Sequence, residues 1–206
     1  MKLASAAWLG PPLVTLQAAE FERACSDLMR LVEADYAPTL VVGIRTGGLA
    51  VAHAMVLGAS SQLPVLPLTC RRVTTDAKSR LPLLRTILGN LPRPLVNTLR
   101  RAEHRFITAG RVQHGRRQEV DRAEVSALAD HLAMLAVPPR ILVADDAIDS
   151  GTTLSTVLRL LSEVCPPGSE IRSAAITQTL DHPTARPDYV LFRGTLCRFP
   201  WSFDAA

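Results

Sequence analysis

The sequence predicts an α/β protein built on a doubly wound, mainly parallel sheet. Short, continuous apolar runs at residues 39–44 and 141–143 are typical of strands that are buried on both faces. Each run leads through a turn of small residues into a helical pattern. Strand-like and helix-like segments then alternate along most of the 206 residues. This length suits one domain with a sizeable core.

The alternation begins near the amino-terminal end. Residues 16–34 carry apolar positions at helical spacing, and Pro38 ends the predicted helix. The apolar run 39–44 is a predicted strand, residues 49–59 a helix and residues 63–70 a second strand. Strand, helix and strand in this order form a βαβ unit, which favours a parallel sheet.

A basic segment at about 72–118 then interrupts the order. Its patterns at 81–91 and 94–110 are typical of helices, and 111–121 of a polar loop, so we interpret it as a largely helical insertion with a mobile basic end. Of the 23 lysines and arginines, 12 lie between positions 71 and 117. A solvated face is the simplest interpretation, with a phosphorylated ligand or a nucleic acid as the alternatives. The mild net charge of +4 argues against a nucleic-acid partner.

The α/β order resumes after the insertion. Residues 122–136 predict a helix, 140–146 a strand, 153–164 a helix, and 170–180 and 188–194 two further strands. A single domain over residues 1–206 is therefore expected.

The four cysteines form no CxxC pair and no metal-ligand spacing, which favours reduced thiols and a cytoplasmic location. The opening MKLASAAWLGPP is too short an apolar run for a signal peptide. No stretch approaches the roughly 20 apolar residues that span a bilayer, so no membrane partner is expected.

Acidic and hydroxyl side chains follow the strand at 141–143, where the chain reads ILVADDAIDSGTT. Ligands of parallel sheets bind beyond the carboxyl ends of the strands, which is where Asp145 and Asp146 fall. Residues 150–153 offer hydroxyls and amides at a helix N-terminus, which is suited to phosphate. The segment therefore predicts a sugar-phosphate site. The alternative is that the aspartates only cap the helix and the threonines start it, and for Thr153 alone that is the better interpretation, because Thr is a common cap.

A second turn of the same kind follows the first strand, where residues 43–48 read GIRTGG. Its amides would face the same edge of the sheet, with Arg45 nearby to hold a second anionic group. A glycine pair before a helix is usually only a turn. The glycine pair is a stronger indication of an anion site here, because another anion-binding turn is predicted on the same sheet.

These two segments resemble the signatures of a known family. ILVADDAIDSGTTL is similar to the phosphoribosyl-pyrophosphate motif of type I phosphoribosyltransferases, and VVGIRTGG is similar to their pyrophosphate loop. The resemblance covers the chain from about residue 17 to the end. It implies the type I phosphoribosyltransferase fold with a small carboxyl-terminal hood at about 181–206.

The resemblance also implies roles for individual residues. Asp145 and Asp146 would bind the ribose hydroxyls and the Mg²⁺-associated face of phosphoribosyl pyrophosphate, the ion arriving with the substrate. The 5-phosphate would be held by Asp149, Ser150, Gly151, Thr152 and Thr153. Pyrophosphate would be held by Arg45, Thr46, Gly47 and Gly48. A cis peptide bond between Arg45 and Thr46 is a further expectation.

The acceptor site is implied by the same family. An acid at the position of Asp149 is similar to the enzymes that act on 6-oxopurines, where it takes or holds a proton of the base. The tail RPDYVLFRGTLCRFPWSFD resembles the hood of the hypoxanthine, guanine and xanthine branch. Leu196 stands where that branch presents a stacking aromatic ring, and Gln178 is nearest to its base-reading lysine. Trp201 is another candidate for stacking.

The expected function is Mg²⁺-dependent transfer of a phosphoribosyl group to a nitrogen of a purine-like base, with release of pyrophosphate. The alternative is a regulatory protein that keeps the fold as a sensor of phosphoribosyl pyrophosphate or a nucleotide. Asp149 favours the enzyme, because a sensor needs no base. The departures at Leu196 and Gln178, together with the unusual insertion, favour the alternative or an enzyme with a specialised acceptor. The resemblance also implies a homodimer.

Overall fold

The computed structural model describes residues 11–72 and 118–202. The strands in these ranges are β1 (Leu13–Thr15), β2 (Leu40–Arg45), β3 (Val65–Arg72), β4 (Gln118–Val120), β5 (Arg140–Ile148), β6 (Glu170–Gln178), β7 (Tyr189–Arg193) and β8 (Leu196–Arg198). The helices are α1 (Ala18–Glu33), α2 (Gly47–Leu57), α3 (Arg122–Ala133) and α4 (Thr152–Val164).

Six of the strands form the main sheet, in the order β4-β3-β2-β5-β6-β7. Strand β4 runs antiparallel to β3, and the other neighbours are parallel. Side chains along β2 alternate between two cores: Val41 packs with α1 and α2, whereas Leu40 and Val42 pack with α3 and α4. Helices therefore cover both faces, and the predicted doubly wound, mainly parallel sheet is confirmed.

A second, two-stranded sheet joins the two ends of the described chain. Strand β1 pairs in parallel with β8, in the register Leu13 with Leu196. The ring of Phe21 meets that of Phe199 edge-on, at 6.4 Å between centroids, and helps to hold this sheet on α1. The expected hood at 181–206 thus includes β8 but also draws on residues 13–15, to which the sequence assigned no element.

Strand pairing brings together the two ends of the basic segment that the sequence analysis identified. Position 72 pairs with position 118, so the segment begins and ends at neighbouring points on one edge of the sheet. Its predicted helices and the basic end at 111–117 lie outside the described residues. The predicted polar loop at 111–121 was wrong at its end, because residues 118–120 form β4.

The helices agree with the sequence predictions to within a few residues, with differences at the N-termini. Helix α2 begins at Gly47, so the two glycines belong to the helix and not to a preceding turn. Helix α4 begins at Thr152, so the threonines start the helix, as in the alternative interpretation; its cap is Gly151, at a φ of 73°, and not Thr153. Within residues 11–72 and 118–202, no helix has the length and apolar character that a membrane span requires.

Candidate functional site

Two adjacent carboxylates lie at the carboxyl end of β5. Asp145 is 9% exposed, and its Oδ1 accepts a hydrogen bond of 2.9 Å from the amide of Asp146. The Asp146 Oδ1 accepts one of 3.0 Å from the amide of Ala147. Burial, and then the charge of Asp146, raise the pKa of Asp145 well above its ordinary value. Burial also raises the pKa of Asp146. The pair is therefore suited to a cation or to sugar hydroxyls.

The N-terminus of α2 packs directly on this pair. A Cβ atom at Gly47 would lie 2.1 Å from the Oδ2 of Asp146, and one at Gly48 would lie 2.5 Å from the carbonyl oxygen of Ala144. Side chains at these two positions would collide with β5, so glycine permits the approach. The two segments singled out in the sequence therefore meet at one edge of the sheet, as predicted.

The turn from β5 into α4 forms a small polar recess of about 40 Å³. Its lining includes the five residues expected to hold the 5-phosphate, namely Asp149, Ser150, Gly151, Thr152 and Thr153. The hydroxyl groups of Ser150 and Thr152 lie 3.0 Å apart within hydrogen-bonding distance. Thr152 and Thr153 line this recess at the N-terminus of α4, and the positive end of a helix favours an anion.

A loop at 181–187 supports the recess from outside. The amide of Thr184 donates a hydrogen bond of 2.7 Å to the carbonyl of Ser150. A Cβ at Gly151 would lie 2.4 Å from the carbonyl oxygen of Ala185. The turn therefore needs glycine at position 151 for its positive φ and also for this contact. The loop belongs to the segment that the sequence assigned to a hood.

Asp149 is held by a residue that the sequence did not single out. The Thr179 hydroxyl donates a hydrogen bond of 2.5 Å to the Oδ1 of Asp149, and the Thr179 amide donates one of 2.9 Å to the carbonyl of Ile148. Thr179 directly follows β6, whose parallel pairing with β5 places the two side chains together. The position of Thr179 at a predicted strand end was the available signal.

Arg45 is exposed and lies at the end of β2, where the bond between Arg45 and Thr46 is cis as predicted. Its Nε donates a hydrogen bond of 3.1 Å to Glu124. The same carboxylate accepts from the amide of Thr69. Asp121 caps α3 and accepts from the Glu124 amide, which fixes the start of the helix that carries Glu124. Sequence reasoning missed Glu124, which no motif marks.

The three residues expected to contact the acceptor have different surroundings. Gln178 is 4% exposed; its Nε2 donates to the carbonyl of Leu180 at 2.7 Å, and its Oε1 accepts from Arg193 at 3.1 Å. Leu196 is half-buried in β8. Trp201 is 43% exposed and stacks on Phe199, with ring centroids 5.1 Å apart. The cation beside Gln178, Arg193, was not predicted.

Metal and thiol chemistry can be stated for the described residues. In residues 11–72 and 118–202 no group of three or more His, Cys, Asp or Glu side chains is placed to hold a metal ion. The cysteines Cys25, Cys70, Cys165 and Cys197 are free, as expected. Asp145 and Asp146 alone supply oxygen ligands, so a cation there needs further ligands from a substrate.

Solved structures share this architecture. A purine phosphoribosyltransferase from Pyrococcus horikoshii Ot3 superposes with a TM-score of 0.57 at 17% identity, over 92% of this chain and 93% of that one. The xanthine-guanine-hypoxanthine phosphoribosyltransferase of Helicobacter pylori gives 0.57 at 16% identity, over the same shares. The chain has the type I phosphoribosyltransferase fold. The expectation from the two motifs is thereby confirmed for the fold.

A further solved structure that matches this chain contains bound ppGpp. A hypothetical protein from Neisseria gonorrhoeae with bound ppGpp matches with a TM-score of 0.59 at 13% identity, over 93% of this chain and 89% of that one. No protein-family model matches the sequence, and no curated protein matches it. At these identities the likeness concerns the fold.

Proposed function

We propose that the protein transfers the 5-phosphoribosyl group of phosphoribosyl pyrophosphate to a ring nitrogen of a purine-like base and releases pyrophosphate. The observation that carries this proposal is the contact between Gly47 and Asp146. It joins a helix N-terminus suited to pyrophosphate with a carboxylate pair suited to ribose. The 5-phosphate recess follows on the same strand. One sugar carrying phosphate at one end and pyrophosphate at the other matches this order.

Each part of phosphoribosyl pyrophosphate has a proposed partner in the site. The carboxylates of Asp145 and Asp146 would accept hydrogen bonds from the ribose hydroxyls, and the amides of residues 150–153 would hold the 5-phosphate. The residues Arg45, Thr46, Gly47 and Gly48 would hold pyrophosphate. The carboxylates of Asp145 and Asp146 offer the oxygen ligands that Mg²⁺ prefers. The pKa values of both are raised because negative charge is buried there, and a Mg²⁺ ion shared with the substrate would offset that charge. When bound, Mg²⁺ would offset negative charge on the leaving pyrophosphate.

Asp149 is assigned to the acceptor. Thr179 occupies its Oδ1, so Oδ2 is the oxygen that we assign to the proton of the base nitrogen. A positioned carboxylate of this kind typically contributes about 10²- to 10⁴-fold in rate. Positive charge develops on the ribose ring as pyrophosphate departs, and the nearby carboxylates of Asp145 and Asp146 would stabilise it. Gln178, Leu196 and Trp201 remain the proposed acceptor contacts.

Release of pyrophosphate tests the proposal. The protein is incubated with phosphoribosyl pyrophosphate, Mg²⁺ and a panel of purine, pyrimidine and pyridine bases. We expect release with at least one oxygen-bearing base. Asp149→Asn should reduce kcat by about 10²-fold or more with little change in affinity for phosphoribosyl pyrophosphate. Asp145→Asn should weaken that affinity itself. Similar modest effects of both variants would contradict the assigned roles.

A nucleotide-sensing protein is the second candidate. The structure that favours it is the Neisseria gonorrhoeae protein of the same fold with bound ppGpp. A sensor would bind phosphoribosyl pyrophosphate or a purine nucleotide without releasing pyrophosphate in the presence of any base. Tight binding measured by calorimetry, together with no release over the whole panel, would therefore select the sensor.

A further inference from the structure

A buried glutamine holds an arginine in place at the carboxyl edge of the sheet. Gln178 is 4% exposed, while Arg193 is exposed at the end of β7. The Nη1 of Arg193 donates a hydrogen bond of 3.1 Å to the Oε1 of Gln178, whose Nε2 donates to the carbonyl of Leu180 at 2.7 Å. Because both ends of the amide are engaged, its oxygen faces the guanidinium in a fixed direction.

Strand register places this arginine two strands away from Asp149, at the same edge of the sheet. Ile148 of β5 pairs with Gln178 of β6, which pairs in turn with Arg193 of β7. Asp149 directly follows Ile148 and is bonded to Thr179, the residue after Gln178. Neighbouring strands lie about 4.8 Å apart, so Arg193 begins about 10 Å from the start of the Asp149 turn. A bicyclic base that reaches Asp149 with one edge can reach Arg193 with another.

The chemistry of a guanidinium determines what it selects. It carries five N–H donors and no acceptor, and it stays charged at all relevant pH values. One donor is directed to Gln178, which leaves a planar set of donors facing solvent. Such a set attracts a ring oxygen substituent or an anionic base, and it repels an amino substituent, which offers only hydrogens.

We propose that Arg193, oriented by Gln178, is the residue that makes the site specific for bases carrying an oxo or anionic oxygen opposite the reacting nitrogen. This rests on the proposed function, since it assigns the acceptor of that same site. The positive charge that Gln178 lacks is thereby supplied from the neighbouring strand. Gln178 is then a positioning residue and does not itself read the base.

Binding of three nucleoside 5′-monophosphates to the full chain tests this assignment. Inosine, adenosine and purine riboside monophosphates differ only in carrying oxygen, an amino group or hydrogen at C6. We expect the wild-type protein to bind the inosine compound about 10- to 100-fold more tightly than the other two, as for one charge-assisted hydrogen bond. Arg193→Met should remove this ratio, and Arg193→Lys should keep part of it.

A merely structural role for Arg193 gives a different result. Loss of the bond to Gln178 alone would lower Tm and weaken all three nucleotides equally, leaving their ratio unchanged in Arg193→Met. That result would overturn the assignment, as would the lack of an oxygen preference in the wild-type protein. Arg159→Met is the matched control, because Arg159 is an exposed arginine paired with Glu163 on α4. It should leave every affinity unchanged.

The two proposals fail in distinguishable ways. Pyrophosphate release that is equally selective with and without Arg193 would refute the specificity assignment and retain the transferase. An Arg193-dependent preference for the oxygen-bearing nucleotide, with no pyrophosphate released from phosphoribosyl pyrophosphate in the presence of any base, would retain the assignment and refute the transferase.

Discussion

The Oδ2 of Asp146 lies against the backbone of Gly47, so close that a Cβ on the glycine would come within 2.1 Å of it. Asp146 belongs to the strand that carries the ribose-binding candidates, and Gly47 is the first residue of the helix assigned to pyrophosphate. The two halves of the site are thus in direct contact. We therefore expect a displacement of either residue to disturb the other.

Gly47→Ala should separate these halves. The added methyl group must push the Asp146 carboxylate or the helix aside, and misplacement of about 1 Å in such a site typically costs about 100-fold in activity. We therefore expect turnover to fall by about two orders of magnitude, and affinity for phosphoribosyl pyrophosphate, measured by calorimetry, to fall with it.

Gly58→Ala is the matched control for Gly47→Ala. Gly58 caps the other end of α2 at a φ of −99°, where an added Cβ would lie 3.0 Å from the flexible Ser26 side chain. This variant should bind phosphoribosyl pyrophosphate normally. Equal losses in the two variants would point to general damage to α2 rather than to the contact with Asp146.

Gly151→Ala should weaken the hold on the 5-phosphate. Gly151 has a φ of 73°, and its Cβ would meet the carbonyl of Ala185 at 2.4 Å. The left-handed conformation alone costs an alanine about 1–2 kcal/mol, and the collision must in addition move the turn. We expect Tm to drop. We also expect affinity for ribose 5-phosphate to fall about tenfold or more, since each tenfold loss corresponds to about 1.4 kcal/mol of binding free energy.

Gly168→Ala separates conformational strain from displacement of the turn. Gly168 has a φ of 88°, but its Cβ would only touch Pro138 at 3.3 Å. This variant should share the loss of Tm and keep normal affinity for ribose 5-phosphate. A loss of affinity in both variants would mean that global stability, and not the turn, determines binding.

Local sequence patterns were sufficient for the central strands and for the strand-end residues. The run at 141–143 is continuously apolar because both faces of β5 are covered by helices, and this pattern needs no knowledge of the partners. The polar residues that follow must then lie at the carboxyl edge. Asp145, Asp146 and Gly47 could therefore be placed on one edge from the sequence.

Partners from distant segments could not be predicted in this way. Strands β1 and β8 have three residues each, too few to show a period, and their pairing joins opposite ends of the chain. The same holds for Thr179 on Asp149, Glu124 on Arg45 and Arg193 on Gln178. Each contact depends on the register between two elements, which local patterns do not encode.

Asp145→Asn should stabilise the free protein while weakening its binding of phosphoribosyl pyrophosphate. Burial and the charge of Asp146 raise the pKa of Asp145, so the folded state keeps this proton to higher pH than the unfolded state. The destabilisation of the folded state by the charge of Asp145 is absent below the unfolded pKa of 3.8. It grows as pH rises through the raised pKa of the folded state. At pH 7 we therefore expect Asp145→Asn to raise the Tm of the free protein.

Thermal melts of the variant and the wild-type protein across this pH range check the sign. The difference in Tm should be smallest near pH 4 and larger at pH 7. Asp130→Asn, at an exposed position on α3, is the control and should change Tm little at either pH. A variant that is less stable than wild type at pH 7 would show that the Asp145 charge stabilises the free fold.

Glu124→Gln should strengthen pyrophosphate binding. Glu124 accepts from the Nε of Arg45 at 3.1 Å, so its negative charge competes with pyrophosphate for this arginine. Glutamine keeps an oxygen for the Thr69 amide but removes the charge, and an exposed pair of this kind contributes only about 0–1 kcal/mol. We expect pyrophosphate affinity to rise about two- to fivefold, while Arg45→Met lowers it.

Glu163→Gln, at an exposed pair on α4, is the control and should have no effect. Weaker binding in Glu124→Gln would instead mean that Glu124 orients Arg45 for the ligand.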